Sequence, residues 1–444
     1  MKKSKFIRSS IILIIGGFCT KVLGMLTKII LTRKIGTQGI GLYSLISPTF
    51  LLLISISGMG LTTALNVLIS SKKYNTKNIM IYSLLISLSI DFIIIIFLFL
   101  FAKSIAINLL NNSNLYYPIL SMGFVLPFIT ISNIFRSYYF SKERMLPHVI
   151  SNILEDLIKL MLIIIFIKGF LNSQEKTLTF IITTNIFSEL SSIIIFLRCF
   201  PEFSITKSDL KLNIRNIKAI LNIAIPTTIS RLIGSITYFL EPIILTFVLT
   251  KIGYDNNFIV SEYGIINGYV LPIILLPSFF TSAISQALIP SISHSYANKD
   301  FQNLKRKINQ ALIISLLLGL FFTCVFILGG DFLLSFLYKT HEGSNYIKLL
   351  APIFIFHYLE QPLLSCLQAM NKAKINMRIS LINMFIRTIG LAIFCSLNIK
   401  MYGLLIALSL NIVFTCCYSW IKINSILLKE KKIKKPFIRL YNII

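Results

Sequence analysis

Acidic residues are scarce in this chain of 444 residues, with 16 Asp and Glu against 43 Lys and Arg. Charge of either sign makes up only 13% of the sequence, too little to cover a soluble globule of this size. No Gly-Lys dipeptide occurs, which excludes the G-x-x-x-x-G-K-S/T loop that cradles ATP phosphates. The four histidines, His148, His294, His341 and His357, are too scattered to form a metal-ligand spacing. Seven cysteines are present without a C-x-x-C, each in or at the edge of an apolar run. They read as small core residues, neither ligands nor disulfides, so no metal or cofactor is expected. No water-facing set of clustered carboxylates, His and Ser is visible, and no loop is long enough for a catalytic domain. An enzyme acting on membrane lipids is therefore the weaker reading.

What the chain has instead is apolar length. Hydrophobic residues make up 55% of it, with mean hydropathy +0.81. About 20 apolar residues cross a bilayer as a helix, and a helix satisfies its own backbone in lipid. Twelve such runs are expected, at about 8–32, 40–70, 78–101, 116–140, 147–168, 177–199, 217–249, 261–291, 307–330, 346–370, 375–397 and 400–428. With span-end residues counted into the adjoining loop, Lys and Arg number 27 on one side and 8 on the other. Cytoplasmic segments collect Lys and Arg, which places both termini in the cytoplasm. Charge dispersed over short loops does not fit nucleic-acid binding. The longest outward loops, 102–115 and 331–345, are expected to hold about fifteen residues each. The basic start before Ile11 reads as the flank of a retained first helix, because no small-residue cleavage site follows it. The basic tail 429–444 reads as a topology anchor that favours anionic lipid.

The chain repeats itself weakly. Thr20-Lys-Val-Leu-Gly24 answers Ser230-Arg-Leu-Ile-Gly234, Pro48 answers Pro272, and Lys159 answers Arg387. Six spans per half make the halves enter from the same side, related by a pseudo-twofold along the membrane normal. The expected architecture is an all-α membrane protein with two six-helix bundles, 1–205 and 217–428, joined by a basic linker at 206–216. Spans 2 and 8 are long and interrupted, and are expected to break at Pro48 and Pro272 and to line a substrate site.

Ionisable residues inside the spans cost at least ~2.5 kcal/mol each at the bilayer centre if they face lipid. The basic ones are Lys21, Lys28, Arg136, Lys159, Arg231 and Arg387. At about 1.5 Å per residue, Lys21, Lys159, Arg231 and Arg387 fall near mid-depth. Four cations at one level are expected to form a chamber suited to phosphate or pyrophosphate. Arg136, about one turn from the cytoplasmic end, is placed to snorkel. Glu155 and Lys159 form an i, i+4 pair in the favourable order. The acidic residues Asp91, Glu155, Asp156, Glu189, Glu241 and Glu360 are candidates for coupling to Na+ or H+, or for charge pairing. Nothing in their spacing singles out one of them.

Two stretches near the start carry a resemblance. Lys21-Val-Leu-Gly-Met-Leu-Thr-Lys28, followed by Arg33-Lys-Ile-Gly-Thr-Gln-Gly-Ile-Gly-Leu-Tyr43 and on to Pro48, resembles the opening of the stage V sporulation protein B family. That family is a branch of the multidrug/oligosaccharidyl-lipid/polysaccharide exporter superfamily. The stretch from Phe135 to Lys159 is similar to its fourth-to-fifth helix junction. Gln286-Ala-Leu-Ile-Pro-Ser-Ile-Ser293 is similar to its eighth-helix signature, and Leu367-Gln-Ala-Met-Asn371 to its tenth-to-eleventh turn. The resemblance implies a flippase for lipid-linked saccharides or peptidoglycan precursors in the cytoplasmic membrane, serving spore cortex or envelope synthesis. By it, Lys21, Lys28, Lys159, Arg231 and Arg387 stand where the family places cavity cations. Two departures stand out. Members of this branch often carry two further spans, and the related lipid II flippases carry basic residues where this chain has Leu51, Leu52 and Leu53. A cation-coupled multidrug exporter shares the twelve-helix plan, but unpaired basic residues would repel its cationic substrates.

Overall fold

The computed structural model describes residues 2–71, 73–142, 144–199, 214–370 and 372–434, and among them there is no strand. The expected linker at 206–216 falls largely outside the described residues, as do the last ten of the tail. The chain groups into two compact units, 1–268 and 269–444. This division lies later than the sequence repeat suggests, because the seventh span packs against the first two.

The first unit holds α1 (Lys2–Gly58), α2 (Leu61–Ser70), α3 (Thr76–Ser104), α4 (Tyr116–Ser141), α5 (Met145–Phe166), α6 (Gln174–Arg198), α7 (Ile214–Ile252) and α8 (Asn256–Gly264). The second holds α9 (Leu271–Ile274), α10 (Ser278–Ala297), α11 (Phe301–Tyr338), α12 (Ser344–Ala369), α13 (Ala373–Ser396) and α14 (Tyr402–Lys434). Nine helices among the described residues are long and apolar enough to cross a membrane, ten if the bent 256–285 stretch is one span. Large apolar side chains face outward along them, Leu328 being 86% exposed and Leu100 70%. That is the pattern of a lipid-facing surface.

The first of these stretches, Ile15–Ser70, holds 56 residues. At about 1.5 Å per residue it would reach roughly 84 Å, far beyond a hydrocarbon core of about 30 Å. Gly36 interrupts it with φ 69° and ψ −175°, a backbone conformation essentially restricted to glycine. The break falls in the expected first loop. α5 drops out of the ten because Glu155, Asp156 and Lys159 sit close together in its 22 residues.

The broken spans are present, but the breaks are displaced. α1 runs straight through Pro48 and ends at Met59 (φ 37°) and Gly60 (φ 59°). The left-handed turn is favoured at Gly60 by the lack of a side chain, and a Cβ there would sit 2.6 Å from the Ala224 carbonyl of α7. Pro48 is absorbed within the helix, as membrane helices allow where neighbours satisfy the freed backbone. In the eighth span a π-helical turn, Ile265–Val270, precedes Pro272. The 53° bend falls after Ile274, where Pro277 opens α10. The Tyr358 hydroxyl donates to the Ile274 carbonyl at 2.6 Å, satisfying an acceptor beside that break.

The loops differ too. Helix continues through most of 102–115, as a π-helical turn over Ile105–Leu109, and α11 extends to Tyr338. In the first unit the buried core joins Leu65 of α2, Tyr82 of α3, Tyr139 of α4, Phe196 of α6 and Ile220 of α7. In the second, Leu304 and Ile308 of α11 meet Leu367 of α12, Ile379 of α13 and Ile423 of α14.

The backbones of α1 and α8 approach closely. A Cβ on Gly41 would overlap the Val260 carbonyl, and one on Gly264 would meet the Thr37 carbonyl and lie 2.8 Å from the Gly41 nitrogen. At Gly268, one turn on, a Cβ would lie 2.7 Å from the Ile40 side chain. Gly264 and Gly268 form the small-xxx-small spacing by which membrane helices approach closely.

Candidate functional site

Within the first unit, three helices line one cavity of about 220 Å³, mostly with polar side chains. Thr62 and Asn66, one turn apart on α2, form one wall. Asn133, Arg136, Ser137 and Phe140 of α4 form another, at the i, i+3, i+4 and i+7 spacing that shares a helix face. His148 of α5 closes a third side. Behind Arg136, α5 and α6 supply carboxylates. Arg136 Nη2 donates to Glu155 Oε2 at 2.7 Å and to Ser132 Oγ at 3.2 Å, and lies 3.6 Å from Glu189 Oε2. Ser192 donates to the Ser151 carbonyl at 3.1 Å and stands 3.4 Å from Glu155 Oε2.

Buried polar atoms without a hydrogen-bond partner gather here: Asn66 Oδ1, Arg136 Nε, His148 Nδ1, Asn152 Oδ1 and Glu189 Oε2. An unsatisfied buried polar atom costs about 1–3 kcal/mol. Their concentration beside one cavity marks a place built for water or for a polar group of a substrate.

The cations expected from the sequence are distributed as follows. Lys159 donates to Asn185 Oδ1 at 2.8 Å, so the expected Glu155–Lys159 pair is replaced by Arg136–Glu155. The reason is reach, because α4 delivers a planar guanidinium directly to the carboxylate. Arg136 therefore does not snorkel: its side chain is 21% exposed and faces two glutamates. Arg231 of α7 is exposed and donates to the hydroxyls of Thr62 at 3.3 Å and Thr63 at 3.2 Å. Because Thr62 also lines the cavity, Arg231 stands at its margin. Lys21, exposed, and Lys28, half-buried, have no hydrogen-bond or ion-pair partner among the described residues. Arg387 is half-buried on α13 in the second unit.

The candidate acids separate into distinct environments. Asp91 of α3 is fully buried and accepts from Ser57, which also contacts Thr130 Oγ1 at 2.7 Å. Asp156 lies within electrostatic reach of Glu155, Lys159 and Arg136. Glu241 accepts from the Tyr263 hydroxyl at 3.1 Å. In the second unit, Glu360 pairs with His357 at 3.3 Å. Among the described residues no group of His, Cys, Asp and Glu could hold a metal ion.

The sequence reading left out Asn66, Asn133, His148 and the α1–α8 glycines. A signal existed for all of these but His148. Thr62/Asn66 and Asn133/Ser137 are polar pairs at i, i+4 in helices that are otherwise apolar, and Gly264/Gly268 has the helix-contact spacing.

Residues 6–296 match the family described as polysaccharide biosynthesis protein, two thirds of the chain. The chain belongs to this family. Residues 231–393 also match the MatE family. Stage V sporulation protein B of Bacillus subtilis (strain 168) is 31% identical over 401 residues, covering 87% of this chain and 77% of that protein. Sporulation protein YkvU of the same organism is 25% identical over 382 residues, covering 84% of each. Among solved structures, an inward-facing multidrug resistance MATE family transporter of the MOP superfamily superposes with TM-score 0.75 at 15% identity, covering 93% of this chain and 96% of that one. A MOP superfamily transporter from Pyrococcus furiosus superposes with TM-score 0.62 at 16% identity, covering 97% and 96%. The family membership and the apolar helices make the protein a multi-pass membrane protein, with the fold of MOP superfamily transporters.

Proposed function

We propose that the protein flips an undecaprenyl-pyrophosphate-linked saccharide or peptidoglycan precursor across the cytoplasmic membrane, in spore cortex or envelope synthesis. The observation that carries this reading is the set of first-unit cations with no acidic partner among the described residues: Lys21, Lys28 and Arg231. Three such charges in hydrocarbon would cost about 8–10 kcal/mol at the lower, insertion-based scale. An anionic head group carrying about two to three negative charges offsets that cost while it passes, and Coulomb attraction there exceeds that in bulk water. Lys159, held by the neutral Asn185, and Arg387 of the second unit are assigned the same role from their sequence positions. The prenyl tail stays in lipid, so only the polar head needs a hydrated path.

The proposed topology has twelve spans in two six-helix halves, with the Ile15–Ser70 stretch counted as two and α5 added, and both termini cytoplasmic. Single cysteines at Asn114 and Glu342, in a background without the native cysteines, are expected to react with a membrane-impermeant maleimide from outside intact cells. Labelling from the cytoplasmic side alone reverses the orientation. The MatE match keeps a multidrug exporter as the second reading. Reconstituted protein is expected to translocate a fluorescent polyprenyl-pyrophosphate saccharide and to leave ethidium unmoved. The opposite outcome selects the exporter.

A further inference from the structure

We infer that Asp91 is a proton-binding site inside the membrane, and that release of its proton is linked to movement at the break between α1 and α2. Asp91 lies fifteen residues after Thr76 and thirteen before Ser104, near the middle of α3. Its neighbours Phe92 and Ile93 face outward, each 64% exposed, while Asp91 itself is fully buried. The Ser57 hydroxyl of α1 donates to Asp91 Oδ1. Ser57 has one proton to give, so the Thr130 hydroxyl of α4, 2.7 Å away, is the donor in their contact. The hydroxyl protons are thus ordered from Thr130 to Ser57 to Oδ1. Asp91 Oδ2 is left buried with no partner.

A carboxylate does not persist in that setting. Taking an ionised carboxyl out of water without a counter-charge is so costly that buried groups neutralise instead. Asp91 has no ion pair among the described residues. α3 packs against α1, α2, α4 and α7. α1 presents Ser57 to the carboxyl, and α4 stands behind it with Thr130. α2 has no ionisable residue over Leu61–Ser70. On α4, Arg136 is held by Glu155 and Ser132. On α7, Arg231 is held by Thr62 and Thr63, and Glu241 by Tyr263. The lysines of α3 itself, Lys77 and Lys103, stand about 21 and 18 Å away along the helix. A metal cation is the other way to neutralise the acid, and the hydroxyl spacing disfavours it. Ligand oxygens turn their lone pairs to a cation, whereas Ser57 and Thr130 stand at the 2.7 Å of an O–H···O hydrogen bond.

The position of Ser57 supplies the linkage. It sits in the last turn of α1, two residues before Met59 with its φ of 37°. The hydroxyl chain therefore fastens the end of α1 to α3 and α4 beside the break. The next helix, α2, carries Thr62 and Asn66 to the cavity. Loss of the proton leaves a carboxylate with a single donor, stable only once water reaches Oδ2. Water gets there when the end of α1 parts from α3. The Oδ2–H bond then breaks and the proton leaves on that water as hydronium; the same bond forms again when α1 returns. Opening favours release, and by reciprocity release favours opening by the same factor.

The test uses the full chain in lipid nanodiscs, in two arms that need no substrate, so their outcome stands apart from the flippase reading. In the first, the infrared difference between wild type and Asp91→Asn at neutral pH is expected to show one protonated-carboxyl band, unaltered in the exposed-loop control Glu342→Gln. Ser57→Ala is expected to move this band to higher frequency, because the Oδ1 carbonyl loses its donor. A carboxylate band in its place, whether or not Na+ shifts it, overturns the proton site. In the second arm a single cysteine replaces Thr62 in a background without the native cysteines. Its maleimide labelling rate is measured with Asp91 and with Asp91→Asn, and dividing the two rates cancels the thiol's own response to pH. The ratio is expected to rise about fivefold or more from neutral to alkaline pH, the lower end of coupling between linked sites. A flat ratio overturns the linkage. If Asp91→Asn fails to fold, Ser57→Ala decides both arms: an undisplaced band overturns the proton site, and labelling at neutral pH no faster than with Ser57 overturns the linkage.

Discussion

Arg231→Ala lowers translocation of a polyprenyl-pyrophosphate substrate about 30-fold while membrane abundance stays near that of the wild type. Its guanidinium holds only two threonine hydroxyls, at 3.3 Å and 3.2 Å, and no acidic side chain among the described residues. Truncation therefore leaves no buried counter-charge behind. What is lost is a charge-assisted contact to the passing head group, worth about 2 kcal/mol, which corresponds to the 30-fold effect. Arg231→Lys retains part of the rate, because the charge persists while the bidentate geometry does not. Arg136→Ala behaves differently: it strips Glu155 and Glu189 of their cation and costs abundance. Arg387→Ala is expected to follow Arg231→Ala. Translocation in reconstituted vesicles, normalised to folded protein, separates these outcomes. A wild-type rate in Arg231→Ala sinks the anionic-path mechanism, and disappearance of the protein would assign Arg231 to structure.

The largest effect on folding is expected at the contact between α1 and α8. Gly264→Leu and Gly41→Leu each force a side chain into backbone of the facing helix, where a single Cβ already overlaps a carbonyl. Backbone cannot yield as a side-chain tip does, so the cost should exceed the ~1–3 kcal/mol usual for overpacking. Both variants should vanish from the folded fraction in detergent chromatography. Gly17→Ala and Gly24→Ala provide the contrast, since a Cβ at either position meets nothing within 4 Å. They are expected to remain within about 0.5 kcal/mol of the wild type or to be slightly stabilised. Normal folding of Gly264→Leu would show that the two helices can separate without penalty.

How much of this was legible follows the physics that acts at each scale. Hydrocarbon thickness acts on every span, so apolar length alone located the helices, and Gly36 falls where the first loop was expected. Breaks are a contest between local chemistry and packing. Pro48 lost that contest, because its helix could absorb it, and Gly60 won it, because α7 presses on a position without a side chain. Ionic pairing was the least legible level. Glu155 and Lys159 are ideally spaced in sequence, but Arg136 arrives from another helix with a geometry that no intrahelical rule contains. His148 and Asn66 lie on different helices from Arg136, and single-helix spacing cannot bring such residues together in the mind of a reader.

The glycine seam also has a cost in time. Gly41 leaves the ribosome about 220 residues ahead of Gly264, which at roughly 5–20 residues per second is a delay of about 10–45 s. Throughout that interval the bare backbone strip of α1 at Thr37–Gly41 faces lipid or whatever chaperone is at hand, with its own partner not yet made. Membrane proteases that survey half-built proteins would meet this chain at its most exposed moment then, well before the cationic path exists to be tested by any substrate.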